Sequence, residues 1–422
     1  MRLFAAFAIA KFLRFLTRLR GGGSAFPGFV LLRLVPDALE RAVGSLPRGV
    51  IFVTGSNGKS TTTAMLTEIL RAHGLRVFSN PAGGNLPQGL ASALVGGASL
   101  LGRVAADIAV LEVDEAYGPP ISDLVAPDWV VITNIQVDQL NRFGEPEAVY
   151  RLLLTLGHRA KEGVVINGSD PNTTALGAEL HATGTRVEQM QVSSAAQATA
   201  AHGLVPAPLF FDPPPNLAVA PGVVVSAVHG PQASLDVAGA VWKVTLPQPG
   251  LHYAVDAGLA MEMASVVLQD FQPERAVAAL ELGAGVYGRG EVIRYRGVEI
   301  SLIMMKNLPS LQVNLDAFPA PLENVFIAVD EGTPDPSWIF DVDTRSLASV
   351  SVLSGSKAWQ WALLLEHRGI PYGEVIEDSR AGLDAFIKNS PPQGGPLHAI
   401  VNYEQMMLIR RIAGYKELEG AR

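Results

Sequence analysis

The segment Ile51-Phe52-Val53-Thr54-Gly55-Ser56-Asn57-Gly58-Lys59-Ser60-Thr61 constrains this chain more than any other. A short apolar run leads into Gly and Asn. Gly-Lys-Ser-Thr then opens a stretch in which Met65, Leu66, Ile69 and Leu70 fall on one side of a helix. Strand, glycine loop and helix in that order make a phosphate-binding loop, with backbone N–H groups turned inward and the positive end of a helix behind them. Lys59 is placed to reach the outer phosphates and Ser60 to hold Mg²⁺. The expected binding set is Gly55, Ser56, Asn57, Gly58, Lys59, Ser60 and Thr61, with ATP and Mg²⁺ as ligands and Lys59 exposed in the loop. The loop is shorter than the G-x-x-x-x-G-K-[ST] form. The plainer alternative is a glycine turn with an exposed lysine.

Further strands follow this one. Ile108–Glu112, Trp129–Thr133 and Val164–Asn167 read as buried strands, with a helix over Ala148–Ala160. Such alternation predicts a parallel sheet covered on both faces, hence an α/β fold. Each strand ends in polar residues: Glu112-Val113-Asp114-Glu115, Thr133-Asn134 with Asp138-Gln139-Leu140, and Asn167 with Asp170-Pro171. Functional residues gather at the carboxyl ends of parallel strands. A carboxylate at Glu112 suits the far side of a nucleotide-bound Mg²⁺, although acidic residues also favour helix starts for their own sake.

Residues 184–248 differ, with eight prolines among short Val and Leu runs, and read as a β-rich insertion. Helical patterns span Tyr253–Leu282. Val292–Met304 reads as a hairpin about Arg296-Gly297. A last α/β region has strands at Val325–Val329, Ser349–Leu353 and Ala399–Val401, and helices at Lys357–Arg368, Ser379–Lys388 and Glu404–Ala413. The expected domains are an N-terminal helix and connector over 1–46, a nucleotide-binding domain over 47–285 and a C-terminal domain over 286–422.

The 422 residues carry a net charge of −8 and no Lys/Arg cluster beyond the N-terminus, which argues against a nucleic-acid binder. There is no cysteine, so disulfides, thiolate zinc sites and a cysteine nucleophile are excluded within this chain. The N-terminal MRLFAAFAIAKFLRFLTRLR is too charged to span a bilayer and lacks a cleavage site. It reads as a basic amphipathic helix, broken at Gly21-Gly22-Gly23-Ser24, that packs on the protein, touches an anionic membrane surface, or does both.

Together these motifs resemble the MurT family, Mur-ligase-like subunits of lipid II isoglutaminyl synthases. The likeness runs along nearly the whole chain: Phe26-Pro27-Gly28, the T-G-S-N-G-K-S-T loop, Gly84-Asn85-Leu86, the strand-end segments above, and Gly288-Arg289 with Glu291. It continues through Lys306-Asn307, Asp335-Pro336-Ser337-Trp338, Ser354-Gly355-Ser356 and Asn402-Tyr403. The resemblance implies a Mur ligase central domain with a phosphate loop and a Rossmann-like C-terminal α/β domain. It implies ATP-dependent amidation of the α-carboxylate of D-glutamate in the lipid II stem peptide, through an acyl phosphate, in the cytoplasm and at the inner face of the membrane. By the same resemblance Lys59 and Glu112 are expected to carry catalysis, Ser60 and Glu112 to hold Mg²⁺, and Asn85 and Asn134 to line the nucleotide and acyl-phosphate region. The resemblance further implies a GatD-like glutaminase partner that supplies ammonia, with Asp335 completing its Cys-His pair; a loop Asp beside proline is also a common turn residue.

Two departures stand out. The four zinc-ribbon cysteines common in the family are absent, so no zinc is expected. A paired-asparagine segment near Gly250 is replaced by Tyr253 and Asp256, which puts the adenine end of the site in question, because ionised aspartate only accepts hydrogen bonds. The competing readings are a Mur-type amino-acid ligase and a non-catalytic nucleotide-binding scaffold.

Overall fold

A computed structural model describes residues 2–19, 25–80, 84–211, 215–283, 289–333, 336–390 and 395–415. The Gly21–Ser24 break, Gly288 and Asp335 lie outside these residues, as do the side chains of Leu140, Asn141 and Arg289. The chain divides into two compact units, one over 1–199, 206–247 and 251–284, the other over 200–205, 248–250 and 285–422.

The first unit is built on nine strands: β1 (Val50–Thr54), β2 (Val77–Ser79), β3 (Ile108–Glu112), β4 (Trp129–Ile132), β5 (Gly163–Asn167), β6 (Val187–Val192), β7 (Val223–His229), β8 (Gln232–Val237) and β9 (Ala240–Thr245). Their order is β2-β3-β1-β4-β5-β6-β7-β8-β9. Pairing is parallel from β2 to β7 and antiparallel at β7–β8 and β8–β9. β1, β3, β4 and β5 are buried along their whole length. That is why they read as unbroken Val/Ile/Leu runs rather than as alternation. The stretch 184–248 supplies β6 to β9, which carry the same sheet onward. β8 alternates buried and wetter positions because its outer face is not covered by a helix crossover.

Helices cover the sheet. The phosphate-loop helix Lys59–Ala72 lies beside Leu251–Val267 and Pro273–Leu282. Leu251–Val267 is buried almost all round, which explains its lack of an apolar stripe. The helical pattern expected over 253–282 is two helices, because Gln272 before Pro273 is extended (φ −117°, ψ 103°) and the proline opens a new helix. Three N-terminal helices, Arg2–Leu19, Phe26–Leu34 and Ala38–Val43, join the main core through Ala6, Phe7, Ala10, Leu31, Leu39 and Val43. Their seat is the helix Pro87–Gly97. Gly28 N–H donates to Ser92 Oγ at 3.0 Å, and a Cβ at residue 28 would meet Gln88 O at 2.1 Å. Only glycine permits that approach.

The second unit has six strands: β10 (Arg289–Tyr295), β11 (Val298–Met304), β12 (Val325–Ala328), β13 (Val350–Ser354), β14 (Tyr372–Ile376) and β15 (Leu397–Val401), in the order β10-β11-β15-β12-β13-β14. The β10–β11 hairpin is antiparallel and turns at Arg296 (φ 50°) and Gly297 (φ 85°), the positive pair that matches strand twist. All other pairs are parallel. Trp361 and Leu365 pack one face and Phe326 and Phe386 the other. Glu291 on β10 forms an ion pair with buried Arg410 of the last helix.

Candidate active site

β1 lies between β3 and β4, so the loops leaving all three meet at one sheet edge. The phosphate loop begins at Gly55, whose φ of +125° and contact with Thr133 exclude a side chain: a Cβ there would lie 2.3 Å from Thr133 Oγ1. Gly58, at φ +84°, precedes the helix and would strike Asp256 Oδ1 at 2.3 Å if it carried a Cβ. Residues after β4 pin the loop from the side. Asn134 O accepts from Ser56 N–H at 3.1 Å, and Asn134 Oδ1 accepts from Asn57 N–H at 2.9 Å. Asn134 Nδ2 and Thr133 Oγ1 donate to Asn57 O at 3.0 and 2.6 Å. Asn57 Nδ2 donates to Gln136 Oε1 at 2.6 Å. The loop is thus shaped by protein contacts before any phosphate arrives. Ser60 and Thr61 sit in the first helical turn, where backbone N–H groups have no intrahelical acceptor.

Lys59 corrects an expectation. It is not exposed: only 7% of its surface is accessible. Its Nζ lies 2.6 Å from Glu115 Oε1 and also donates to the carbonyls of Gly55 and Ser56. The lysine follows the αL turn at Gly58, so its side chain folds back under the loop. Burial works against its charge, but Glu115, Glu112 and Asp138 outweigh that and raise its pKa. Lys59 is therefore a cation held among three carboxylates.

Of these three, Glu112 is fixed in turn, and two further carboxylates beside it, Asp114 and Asp170, are held as well. Asn80 brackets the Glu112 backbone, accepting from its N–H at 2.9 Å and donating to its carbonyl at 3.1 Å. Asn85 Nδ2 donates to Glu112 Oε1 at 3.1 Å. Asp114 takes a two-pronged bond from Arg142 at 2.6 and 2.8 Å. Burial opposes the Asp114 charge, yet Arg142 and Lys59 lower its pKa overall. Asp170 caps the helix Pro171–Ala182 through Asn172 and Thr173, and its second oxygen accepts from Ile135 N–H at 2.9 Å. It thereby ties the strand end after β5 to the one after β4. Burial pushes its pKa up to about 6 against those three N–H groups.

The structure brings Gly55, Ser56, Asn57, Gly58, Lys59, Asn134 and Asp256 into one cluster, with Asn85 joined to Glu112 beside it. Asp256 accepts from Thr62 Oγ1 of the phosphate-loop helix at 3.1 Å, which puts its carboxylate against the phosphate loop. Tyr253 is buried, its ring tilted against His252. Sequence reasoning singled out neither Glu115 as the lysine's partner nor Asn80 and Gln136 as supports. Glu115 stood in the quoted Glu-Val-Asp-Glu segment, but nothing marked it over its neighbours. The residues suit a magnesium nucleotide: glycines at positive φ, a buried charged lysine, Ser60 in the first turn and Glu112 at the adjoining strand end. Among the described residues no group of three or more His, Cys, Asp or Glu is placed to hold a metal ion. Mg²⁺ in nucleotide sites takes few protein ligands, relying on phosphate oxygens and water.

In the second unit, residues flanking 334–335 are anchored at the carboxyl ends of the strands. Asn402 Nδ2 donates to Asp330 O at 3.1 Å and to Thr333 Oγ1 at 3.3 Å. Asp330 Oδ1 accepts from Ser356 N–H at 2.9 Å, and its Oδ2 accepts from Gln405 Nε2 at 2.6 Å. The short 3-10 helix Ser337–Asp341 follows, with Ile339 buried.

A nucleotide-type phosphate loop after the third of nine strands, in the parallel part of the sheet, and a six-stranded α/β unit give the chain a Mur ligase fold, as its likeness to solved Mur ligases shows. Residues 53–205 match the Mur ligase middle domain. MurF from Acinetobacter baumannii superposes with a TM-score of 0.67 at 19% identity, covering 91% of this chain and 79% of MurF. MurF ligase from Thermotoga maritima, solved in complex with ADP, superposes with a TM-score of 0.64 at 17% identity, over 93% of this chain and 84% of that one. In sequence, the chain is 38% identical over 152 residues to the lipid II isoglutaminyl synthase (glutamine-hydrolyzing) subunit MurT of Streptococcus pneumoniae, covering 36% of this chain and 33% of that protein. It is 28% identical over 294 residues to a UDP-N-acetylmuramate–L-alanine ligase of Thermobifida fusca, covering 69% of this chain and 55% of that one. The chain thus matches a third of the pneumococcal MurT and about half of the alanine ligase.

Proposed function

We propose that this chain is an ATP-dependent carbon–nitrogen ligase of the MurT type, amidating the α-carboxylate of D-glutamate in the lipid II stem peptide to D-isoglutamine in the cytoplasm. The carrying observation is the buried Lys59 among Glu115, Glu112 and Asp138 at the end of the phosphate loop. The MurT relatives supply the substrate class.

The reaction asks for charge control. A carboxylate must approach the γ-phosphate, and both are anions. Phosphoryl transfer gives an acyl phosphate and ADP; ammonia then attacks the carbonyl and phosphate leaves. Lys59 neutralises the γ-phosphate as the carboxylate nears, exchanging its hold on Glu115 for the phosphate oxygens. Ser60 and Glu112 would hold Mg²⁺, which supplies further neutralisation of the phosphates. Asn85 orients Glu112, and Asn134 keeps the loop in its binding shape. Tyr253 and Asp256 leave nucleotide preference as part of the proposal: Asp256 buttresses the phosphate end, and ATP is the assigned nucleotide. With no cysteine, the chain needs a separate glutaminase to draw ammonia from glutamine. We assign Asp335 to orient the histidine of that partner's Cys-His pair.

The longer match to an alanine ligase favours one second reading, an amino-acid ligase. Mass spectrometry of lipid II incubated with the chain, Mg·ATP and ammonium, with and without a GatD-like glutaminase and glutamine, separates the two. Exchange of –OH for –NH₂ supports amidation. A gain of an amino-acid residue supports the second reading. Unchanged lipid II under all conditions, with ATP bound, leaves a nucleotide-binding scaffold.

A further inference from the structure

The helix Arg2–Leu19 is amphipathic with its apolar side outward. Ala6, Phe7 and Ala10 are buried against the core, Lys11 Nζ donates to Val95 O at 2.9 Å, and the Arg14 guanidinium lies against Gly96. These contacts seat one face. Positions 4, 12, 15 and 19 fall on the opposite face at helical spacing. There Phe4, Phe12, Phe15 and Leu19 are 48%, 61%, 59% and 69% exposed. Phe26 and Phe29 on the next helix are half exposed as well.

The helix as a whole is basic. Arg2, Lys11, Arg14 and Arg18 lie in the helix, which holds no Asp or Glu, while the chain as a whole carries −8. No helix among the described residues is long and apolar enough to cross a membrane. An exposed phenylalanine face on a basic helix fits an interface of apolar chains beneath negative headgroups. A second copy fits it less well, since two such faces would bring like charges together. We propose that this helix lies in the surface of an anionic phospholipid bilayer, inserting Phe4, Phe12, Phe15 and Leu19 while Arg18 meets the headgroups. The inference rests on this surface alone and does not need the amidation reading.

The test is cosedimentation of the full chain with phosphatidylcholine vesicles, with and without phosphatidylglycerol. The chain is expected to partition onto the phosphatidylglycerol vesicles, and less as salt screens the attraction. Phe12→Glu and Phe15→Glu should each lower partitioning by about tenfold. Both side chains face outward, so circular dichroism and the unfolding midpoint should not change. Leu19→Glu gives an independent variant with the same expected loss. The proposal fails if the wild type stays in the supernatant with phosphatidylglycerol at low salt, or if the Phe12/Phe15 double variant sediments as well as the wild type. It also fails if light scattering finds a dimer that the double variant loses while vesicles are ignored, which would give the face to a second copy.

Discussion

Lys59 has an anion for company even without nucleotide, and this shapes what substitutions there do. Lys59→Ala strands Glu115 in a buried place, so it costs stability as well as phosphate contact. Glu115→Gln is the more informative change. It removes one buried charged hydrogen bond, so the nucleotide-free protein should lose about 1.5–3 kcal/mol. The lysine then has less to give up when phosphate arrives, so the stabilisation conferred by Mg·ATP should grow. Urea unfolding with and without Mg·ATP checks both. Equal loss of stability in both conditions would remove Glu115 from the lysine's exchange. At this scale the phosphate loop was legible because its residues are contiguous and each glycine answers a steric need. Glu115 was not legible. β3 ends at Glu112, and past a strand end no periodicity says which of several carboxylates turns inward. Asn134 was marked only through the family resemblance, and the support from Gln136 was hidden, because it comes from about eighty positions away.

At the scale of elements, the helix Leu251–Val267 carries a pH dependence. Glu262 is buried with its carboxyl facing the backbone N–H groups of Gly222 and Val223, its Oε2 has no hydrogen-bond partner among the described residues, and Gly222 leaves space for it: a Cβ there would lie 2.5 Å from Glu262 Oε1. Burial pushes its pKa up to about 8 from the ordinary 4.5, the two N–H groups offsetting only part of that. A raised carboxyl pKa adds stability that is full below 4.5 and is lost as pH climbs through about 8. Glu262→Gln keeps an acceptor and removes the charge. The variant should therefore be more stable than wild type at pH 8.5, by roughly 2 kcal/mol, and should not share the wild type's decline between pH 5 and 8.5. Denaturant unfolding at several pH values measures this; parallel curves for the two proteins would refute it. Elements buried on both faces, such as Val50–Thr54 and Ile108–Glu112, were legible to within a residue. The short edge strand Val77–Ser79 was not, since three residues carry no period. β7 to β9 showed only as proline-punctuated β-rich sequence, because their partners are set by sheet pairing across the segment rather than by local pattern.

At the scale of the whole molecule, Asp335 gives the clearest separation of activities. If it orients a partner's histidine, Asp335→Asn should cut glutamine-driven amidation by at least about a hundredfold and leave ammonium-driven amidation intact. Parallel assays of product formation with the two nitrogen sources decide it, and equal losses would place Asp335 in some other role. The N-terminal helices carry a different consequence. Gly28 lets the second of them press onto Pro87–Gly97, and Phe7, Leu31 and Leu39 share one core with Phe52 and Leu111 of the sheet. Cutting the backbone between residues 35 and 48 therefore should not release a free leader. After such a nick the two fragments should stay together in native size-exclusion chromatography, and separating them in denaturant should leave a body that aggregates on refolding. The part of the chain that looks most like an appendage is, in mechanical terms, a wall of the building.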